Sequence, residues 1–142
     1  MFATAALLLC TAGCRDEGVG RWVDPNIGGV APLLTTVMPQ VHRPHAMVRI
    51  YPVTEPGLND RYFSDRIYGI ALNMPRYRNG AVTAIMPTAG DVSFDPERSS
   101  SWYDHDLEEL HPWSHRVWLE DFGVGAAWTT TERAALYEFD FT

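Results

Sequence analysis

The chain has no cysteine beyond residue 14. Cys10 and Cys14 are its only two, so the body of the protein can form neither a disulfide nor a cysteine metal site. It also lacks basic excess. Eleven Lys and Arg stand against 18 Asp and Glu, a formal net charge of −7. That balance excludes the electrostatic footprint of a nucleic-acid binder or of a surface drawn to anionic lipid. No sustained helical period, repeat or heptad runs through it, and ten prolines with eleven glycines argue for turns and against long helices. A phosphate loop, a dinucleotide fingerprint and a nucleophile–base motif are all missing. No apolar run reaches the roughly 20 residues that span a bilayer. What remains is an acidic chain of 142 residues with 12 % aromatics, long enough for one domain with a core.

The N-terminus is leader-like. Phe2 to Gly13 is small and apolar around Leu7-Leu8-Leu9, and Arg15-Asp16-Glu17 ends it. Its size is that of a signal-peptide apolar region, without the usual basic flank. Thr11-Ala12-Gly13-Cys14 resembles a bacterial lipobox, with Thr11 in place of the usual Leu, and makes Cys14 the expected lipidation site. The plainer alternative is a secretory leader in which Cys14 is incidental. Residues 1–14 are therefore read as signal peptide and lipobox, and 15–142 as a partial β-domain. The expected location is the bacterial periplasm or cell surface, with membrane contact only through a lipid anchor.

The stretch from Trp22 to Pro52 organises the rest. Asp24-Pro25 and Gly28-Gly29 are turn chemistry, because proline fixes φ and glycine tolerates positive φ. Pro39 and Pro44 hold the chain extended until Ala46–Tyr51, which reads as a strand. Ile67–Leu72 and Ala81–Met86 are further strands, with Asn79-Gly80 a hairpin signal between them, and Asp91–Phe94 is a short one. Asp104–Leu110 is expected to form one helical turn. Ser114–Glu120 alternates, with His115, Val117 and Leu119 on one side. Gly125–Glu132 returns through Trp128. Leu136–Phe141 alternates again, with Tyr137, Phe139 and Phe141 on one face. These three strands predict an antiparallel meander, and the strand spacing overall predicts a mostly β chain folded as an antiparallel β-sandwich. The sequence stops directly after a strand, at Thr142, which is expected of a cut rather than of a natural end.

Candidate chemistry is sparse. Asp104, Asp106, Glu108 and Glu109 form one acidic cluster. Inverting glycoside hydrolysis needs two carboxyl groups about 6.5–9.5 Å apart, but a solvated loop is the favoured account of this cluster. His105 and His111 lie beside it at a spacing of six, which fits no recognised metal motif, so neither a metal site nor a catalytic residue is assigned. A cross-strand ion pair is the plain account of Glu132-Arg133. Tyr62, Tyr68, Trp102, Tyr103 and Trp113 lie in or near loops, where rings can stack on the apolar faces of sugars. With His42 and His45, which flank Pro44, they are the carbohydrate-binding candidates.

Taken in order, the segments resemble the N-terminal domain of glycoside hydrolase family 92, the calcium-dependent exo-α-mannosidases. The family's Val-Asp-Pro-Phe-Ile-Gly opening is Val23-Asp24-Pro25-Asn26-Ile27-Gly28 here. Its Phe-Pro-Gly-Ala-x-x-Pro-Phe-Gly-Met-Val-Gln-Leu-x-Pro stretch corresponds to Met38-Pro39, Pro44, Ala46-Met47-Val48-Arg49-Ile50 and Pro52. Tyr62-Phe63-Ser64-Asp65 and Gly69, then Met86-Pro87-Thr88-Ala89-Gly90, match later segments. The chain departs from the family at Val30-Ala31-Pro32-Leu33 and around Ala71-Leu72-Asn73, where a Gly-Thr-Gly-rich loop and a His-Thr-His are usual. The resemblance implies half of a galactose-mutarotase-like supersandwich, incomplete in this chain. It also implies a catalytic helical barrel, absent here, that carries the carboxylates and calcium and acts on mannose-containing glycans. By that reading the fragment alone is inactive, needs no cofactor of its own, and has its own C-terminal catalytic domain as partner. The alternative is a non-catalytic carbohydrate-binding surface lipoprotein. A self-sufficient small hydrolase is the weakest reading, since no catalytic constellation is visible.

Overall fold

A computed structural model describes residues 18–29, 37–54, 64–73 and 81–142. The leader with Cys14, the Asn79-Gly80 turn and Tyr62 lie outside the described residues. After a 3-10 turn at Val19–Trp22 come β1 (Ile50–Val53), β2 (Arg66–Ile67), β3 (Gly69–Leu72) and β4 (Thr83–Ile85). A one-turn helix α1 (Pro96–Ser99) leads into β5 (Ser101–Trp102), and a second 3-10 turn (His105–Leu107) precedes β6 (Glu109–His111). Then follow β7 (Ser114–Leu119), β8 (Val124–Thr130) and β9 (Ala135–Phe141). Three antiparallel sheets result, ordered β1-β3-β4, β2-β5 and β6-β7-β8-β9.

The alternation predicted for the meander is what builds the core. His115, Val117 and Leu119 of β7 and Val124, Ala126, Trp128 and Thr130 of β8 all point inward. They pack with Ile50, Ile67 and Ile70 of the other two sheets, with Val41 and Val48 from the segment before β1 and with Tyr103, and Tyr137 and Phe139 lie partly buried against this cluster. The product is the sandwich expected from strand spacing.

Several boundaries differ from expectation, each for a local reason. The first strand starts at Ile50 rather than Ala46. His45 turns the chain at φ 60°, and the Arg49 N–H donates to the Asn73 side chain (2.9 Å) instead of to a ladder. It runs on through Pro52, which is tolerated because β1 is an edge strand. Ile67–Leu72 is two strands, not one: β2 pairs with β5 and β3 with β1. Asp91–Phe94 is no strand, and Phe94 is 97 % exposed. Glu132 and Arg133 are exposed in the β8–β9 turn and form no ion pair among the described residues.

Arg66 ties the small sheet to its surroundings. Its Nε and Nη2 donate to Ser100 Oγ (3.1 and 2.6 Å), Nη2 also reaches the Ser100 carbonyl (3.3 Å), and Asp121 lies 3.5 Å away. The guanidinium sits 4.9 Å from the centroid of the Trp102 ring. A planar fork serves all of these at once, and an ammonium cannot. Arg66→Lys is expected to lose about 1–2 kcal/mol. Urea unfolding checks this, and a variant as stable as the parent chain would refute the hub.

Candidate functional site on the outer sheet face

In β7, β8 and β9 every second side chain leaves the core and stands on the outer face. Register aligns these residues in rows across the sheet. One row holds His111, Ser114, Thr129 and Leu136; the next holds Glu109, Arg116, Ala127 and Glu138; the third holds Trp118, Gly125 and Asp140. β8 contributes only Gly125, Ala127 and Thr129, so the middle of the face is low and its sides are high. A groove of about 380 Å³ lies over Ala127 and Thr129, walled by Ser114 and Arg116 on one side and by Leu136 and Glu138 on the other. A second hollow of about 180 Å³ passes the same Arg116 and Glu138 toward Trp118 and Asp140. The Trp118 ring leans over Gly125, where an added Cβ would lie 3.7 Å from it.

The charges on this face are uncommitted among the described residues. Glu109 stands directly across from Arg116 in register. Yet the side chains of Arg116, Glu109, Glu138 and Asp140 form no hydrogen bond or ion pair with any other described residue. Such an arrangement can offer a guanidinium donor, carboxylate acceptors and an indole face to one polyhydroxylated ligand. It contains no nucleophile paired with a base.

The opposite face carries a buried polar node. Glu108 accepts from His105 Nδ1 (3.0 Å) and from His115 Nε2 (2.5 Å), with Glu108 6 % and His115 0 % exposed at the side chain. The second His105 nitrogen, Nε2, lies 3.0 Å from the Ser64 carbonyl. A carboxylate and a carbonyl can only accept, so this placement lets both His105 nitrogens donate and favours the protonated ring. Burial by itself would raise the Glu108 carboxyl, but the hydrogen bonds from His105 and His115 outweigh it and hold the group down to about 2. The bond to Glu108 raises His105 above its ordinary value against the opposing effect of burial. Glu108 is thus not part of a solvated acidic loop, because it closes the 3-10 turn onto β7. The remaining members of that cluster are exposed, and Asp104 caps the turn by accepting from the Asp106 N–H (2.8 Å).

The aromatic and histidine candidates fall into separate places. Tyr68 and Trp102 share a corner: the Tyr68 hydroxyl donates to Glu97 (3.2 Å), and Trp102 covers Arg66. Trp113, in the β6–β7 turn, is 46 % exposed and stacks on His111 at 5.1 Å. His42 lies beside it, its N–H donating to the Pro112 carbonyl (3.2 Å). Its ring nitrogen Nε2 donates to the Ala46 carbonyl (3.0 Å), and His45 is exposed on the same loop. Tyr103 is only 5 % exposed; its ring packs in the core beside His105 and presents no face to solvent. The groove residues Arg116, Trp118 and Glu138 were not singled out from sequence. The available signal was the run of small residues at alternate positions of β8, Gly125, Ala127 and Thr129, between strands whose outward residues are long.

Among the described residues no three His, Cys, Asp or Glu side chains converge to hold a metal ion. Glu108 is consumed by two imidazoles, and Asp104 and Asp95 cap their own turns.

Comparison with known proteins places this geometry. The family model described as the glycosyl hydrolase family 92 N-terminal domain matches residues 22–142. No curated protein matches the sequence. Solved structures with the same fold include a family GH92 alpha-mannosidase from Bacteroides thetaiotaomicron in complex with mannoimidazole, with TM-score 0.66, 22 % identity, 86 % of this chain and 18 % of that one. A family GH92 inverting mannosidase from Bacteroides thetaiotaomicron VPI-5482 gives TM-score 0.67 at 19 % identity, covering 85 % of this chain and 18 % of that one. The chain therefore spans under a fifth of the length of these solved relatives.

Proposed function

We propose that this chain, which belongs to the glycosyl hydrolase family 92 N-terminal domains, shapes glycan access to a catalytic domain carried elsewhere in a longer protein. The observation that carries the reading is the family match across residues 22–142, which takes in the loop end of the sandwich. At that end the signature stretch is tied down twice. The His42 N–H donates to Pro112 and the Met47 N–H to Glu132 (2.8 Å), so the loop rests on the β6–β7 and β8–β9 turns. Gly28 turns the chain at φ 85°, and an added Cβ there would lie 3.0 Å from Val37 Cγ2, which explains glycine at that signature position. His42, His45 and Trp113 sit at this end and are the proposed glycan contacts. Tyr68 and Trp102 form a second exposed corner.

In this reading the reaction is metal-assisted, inverting hydrolysis of a non-reducing α-mannosyl linkage. The carboxylates and calcium belong to the catalytic domain, and this piece alone hydrolyses nothing. The protein is exported and held at the bacterial periplasm or surface by lipid on Cys14. The test is to clone the coding sequence beyond Thr142, express the whole protein and assay it on α-linked mannobioses with and without a calcium chelator. Cleavage that the chelator abolishes, together with an inactive 142-residue chain, is the expected result. A full-length protein with no activity on any α-mannoside would sink the reading. Labelling with a radioactive fatty acid, lost in Cys14→Ala, tests the anchor separately.

A further inference from the structure

We propose that the outer groove of the β6-β7-β8-β9 sheet is a binding site for a neutral pyranose unit of a glycan. The inference goes beyond the reading above, because it concerns the outer sheet face and not the loop end of the sandwich. Three observations carry it. The first is shape. Ala127 and Thr129 make a low floor between taller strands, and the groove of about 380 Å³ falls within the span of small-molecule sites, about 300–1,000 Å³. The second is chemistry held in readiness. Arg116 and Glu138 flank Ala127 in register, and neither is committed to another described residue. Neighbouring hydroxyls of a pyranose can donate to the carboxylate and accept from the guanidinium at once. The third is the Trp118 indole at 37 % exposure, beside the Arg116 and Glu138 that both hollows share, where it can cover the apolar C–H face of a ring.

Charge selects the class of sugar. One cation, Arg116, is set among Glu109, Glu138 and Asp140, so the face carries negative excess and repels phosphorylated or sulfated sugars. Keeping exposed charges unpaired costs little, since surface ion pairs contribute little.

The experiment titrates the chain with linear mannotriose, xylotriose and cellotriose, and with mannose 6-phosphate as the anionic control. Calorimetry and the indole N–H signal of Trp118 in NMR report binding. Saturable binding of at least one neutral trisaccharide with a shifted Trp118 signal is expected. Arg116→Ala should weaken it about tenfold or more by removing charge-assisted bonds, and Ala127→Leu should block it by filling the floor. Far-UV circular dichroism verifies that the variants fold; Arg116 is exposed, so its variant retains the fold even if the floor substitution does not. Absence of saturable binding by every neutral trisaccharide overturns the proposal. So does unchanged affinity in Arg116→Ala, or tighter binding of mannose 6-phosphate than of the neutral sugars.

Discussion

Replacing Glu108 by alanine lowers the stability of the chain by about 3 kcal/mol, as expected when one member of a buried ionic cluster is deleted and its partners stay behind. Two imidazoles lose their acceptor together. His115 is fully buried and already has Nδ1 without a partner among the described residues, so the substitution leaves both of its nitrogens unsatisfied. His105 is 28 % exposed at the side chain and recovers some solvation, which keeps the figure at the low end for such clusters. Glu108→Gln should do nearly as badly. A carboxamide presents one acceptor and one donor, and the donor would face an imidazole N–H. Urea midpoints at constant m-value measure the effect, and a Gln variant as stable as the parent would show that the node is not ionic.

The same node sets a pH dependence with two edges. Glu108 falls from its ordinary 4.5 to about 2 in the folded chain, so the unfolded state takes up the proton first as pH drops. The stabilisation is therefore complete above about 4.5 and is lost as pH falls toward 2. His105 is raised above its ordinary 6.5, so its contribution is complete below 6.5 and disappears as pH rises through the raised value. Glu108, Ser64 and Asp104 are the groups that hold it there. In Glu108→Gln both edges should flatten, because the carboxylate is also the main cause of the raised His105. In His105→Ala the alkaline edge should go and the acid edge should only weaken, because His115 still holds Glu108 down. Melting temperatures recorded from pH 2 to pH 9 check this, and an alkaline edge that survives in Glu108→Gln would refute the coupling.

Much of the fold was legible because alternation is a local signal. His115, Val117 and Leu119 declare an inward face with no reference to the rest of the chain, and the meander follows from the turns at Asp121-Phe122-Gly123 and after Thr130. The node was not legible. Nothing in the spacing of His105, Glu108 and His115 announces a contact, because Glu108 lies between a 3-10 turn and β6 and reaches His115 only once β6 and β7 pair. An acidic run looks solvated until one member is folded under. The groove failed for a related reason. Arg116, Ala127 and Glu138 are 11 residues apart in each step along the sequence, and only the register of two hairpins brings them into one row. Tyr103 shows the converse error: a loop-adjacent aromatic can serve the core as well as a ligand.

Trp128→Ala is the other large expected loss, about 4 kcal/mol. The indole is 2 % exposed, lies 4.3 Å from the His115 ring centre and pairs with Tyr137 across the ladder, so its removal opens a cavity between two sheets that cannot collapse freely. Trp128→Phe separates packing from polarity. The indole Nε1 has no hydrogen-bond partner among the described residues, so phenylalanine removes a buried orphan donor while keeping a ring against His115. It should lose less than half of what alanine loses, since the smaller cavity is partly offset by the donor that is gone. The coupling to His115 follows from the ring contact. In a double-mutant cycle with His115→Ala the two alanine losses should fall short of additivity by about 1 kcal/mol. Strict additivity would mean that Trp128 supports the core alone, and that the polar node and the inter-sheet packing are independent; non-additivity would mean that the Glu108 node is held in place by the same ring that joins the two halves of the sandwich.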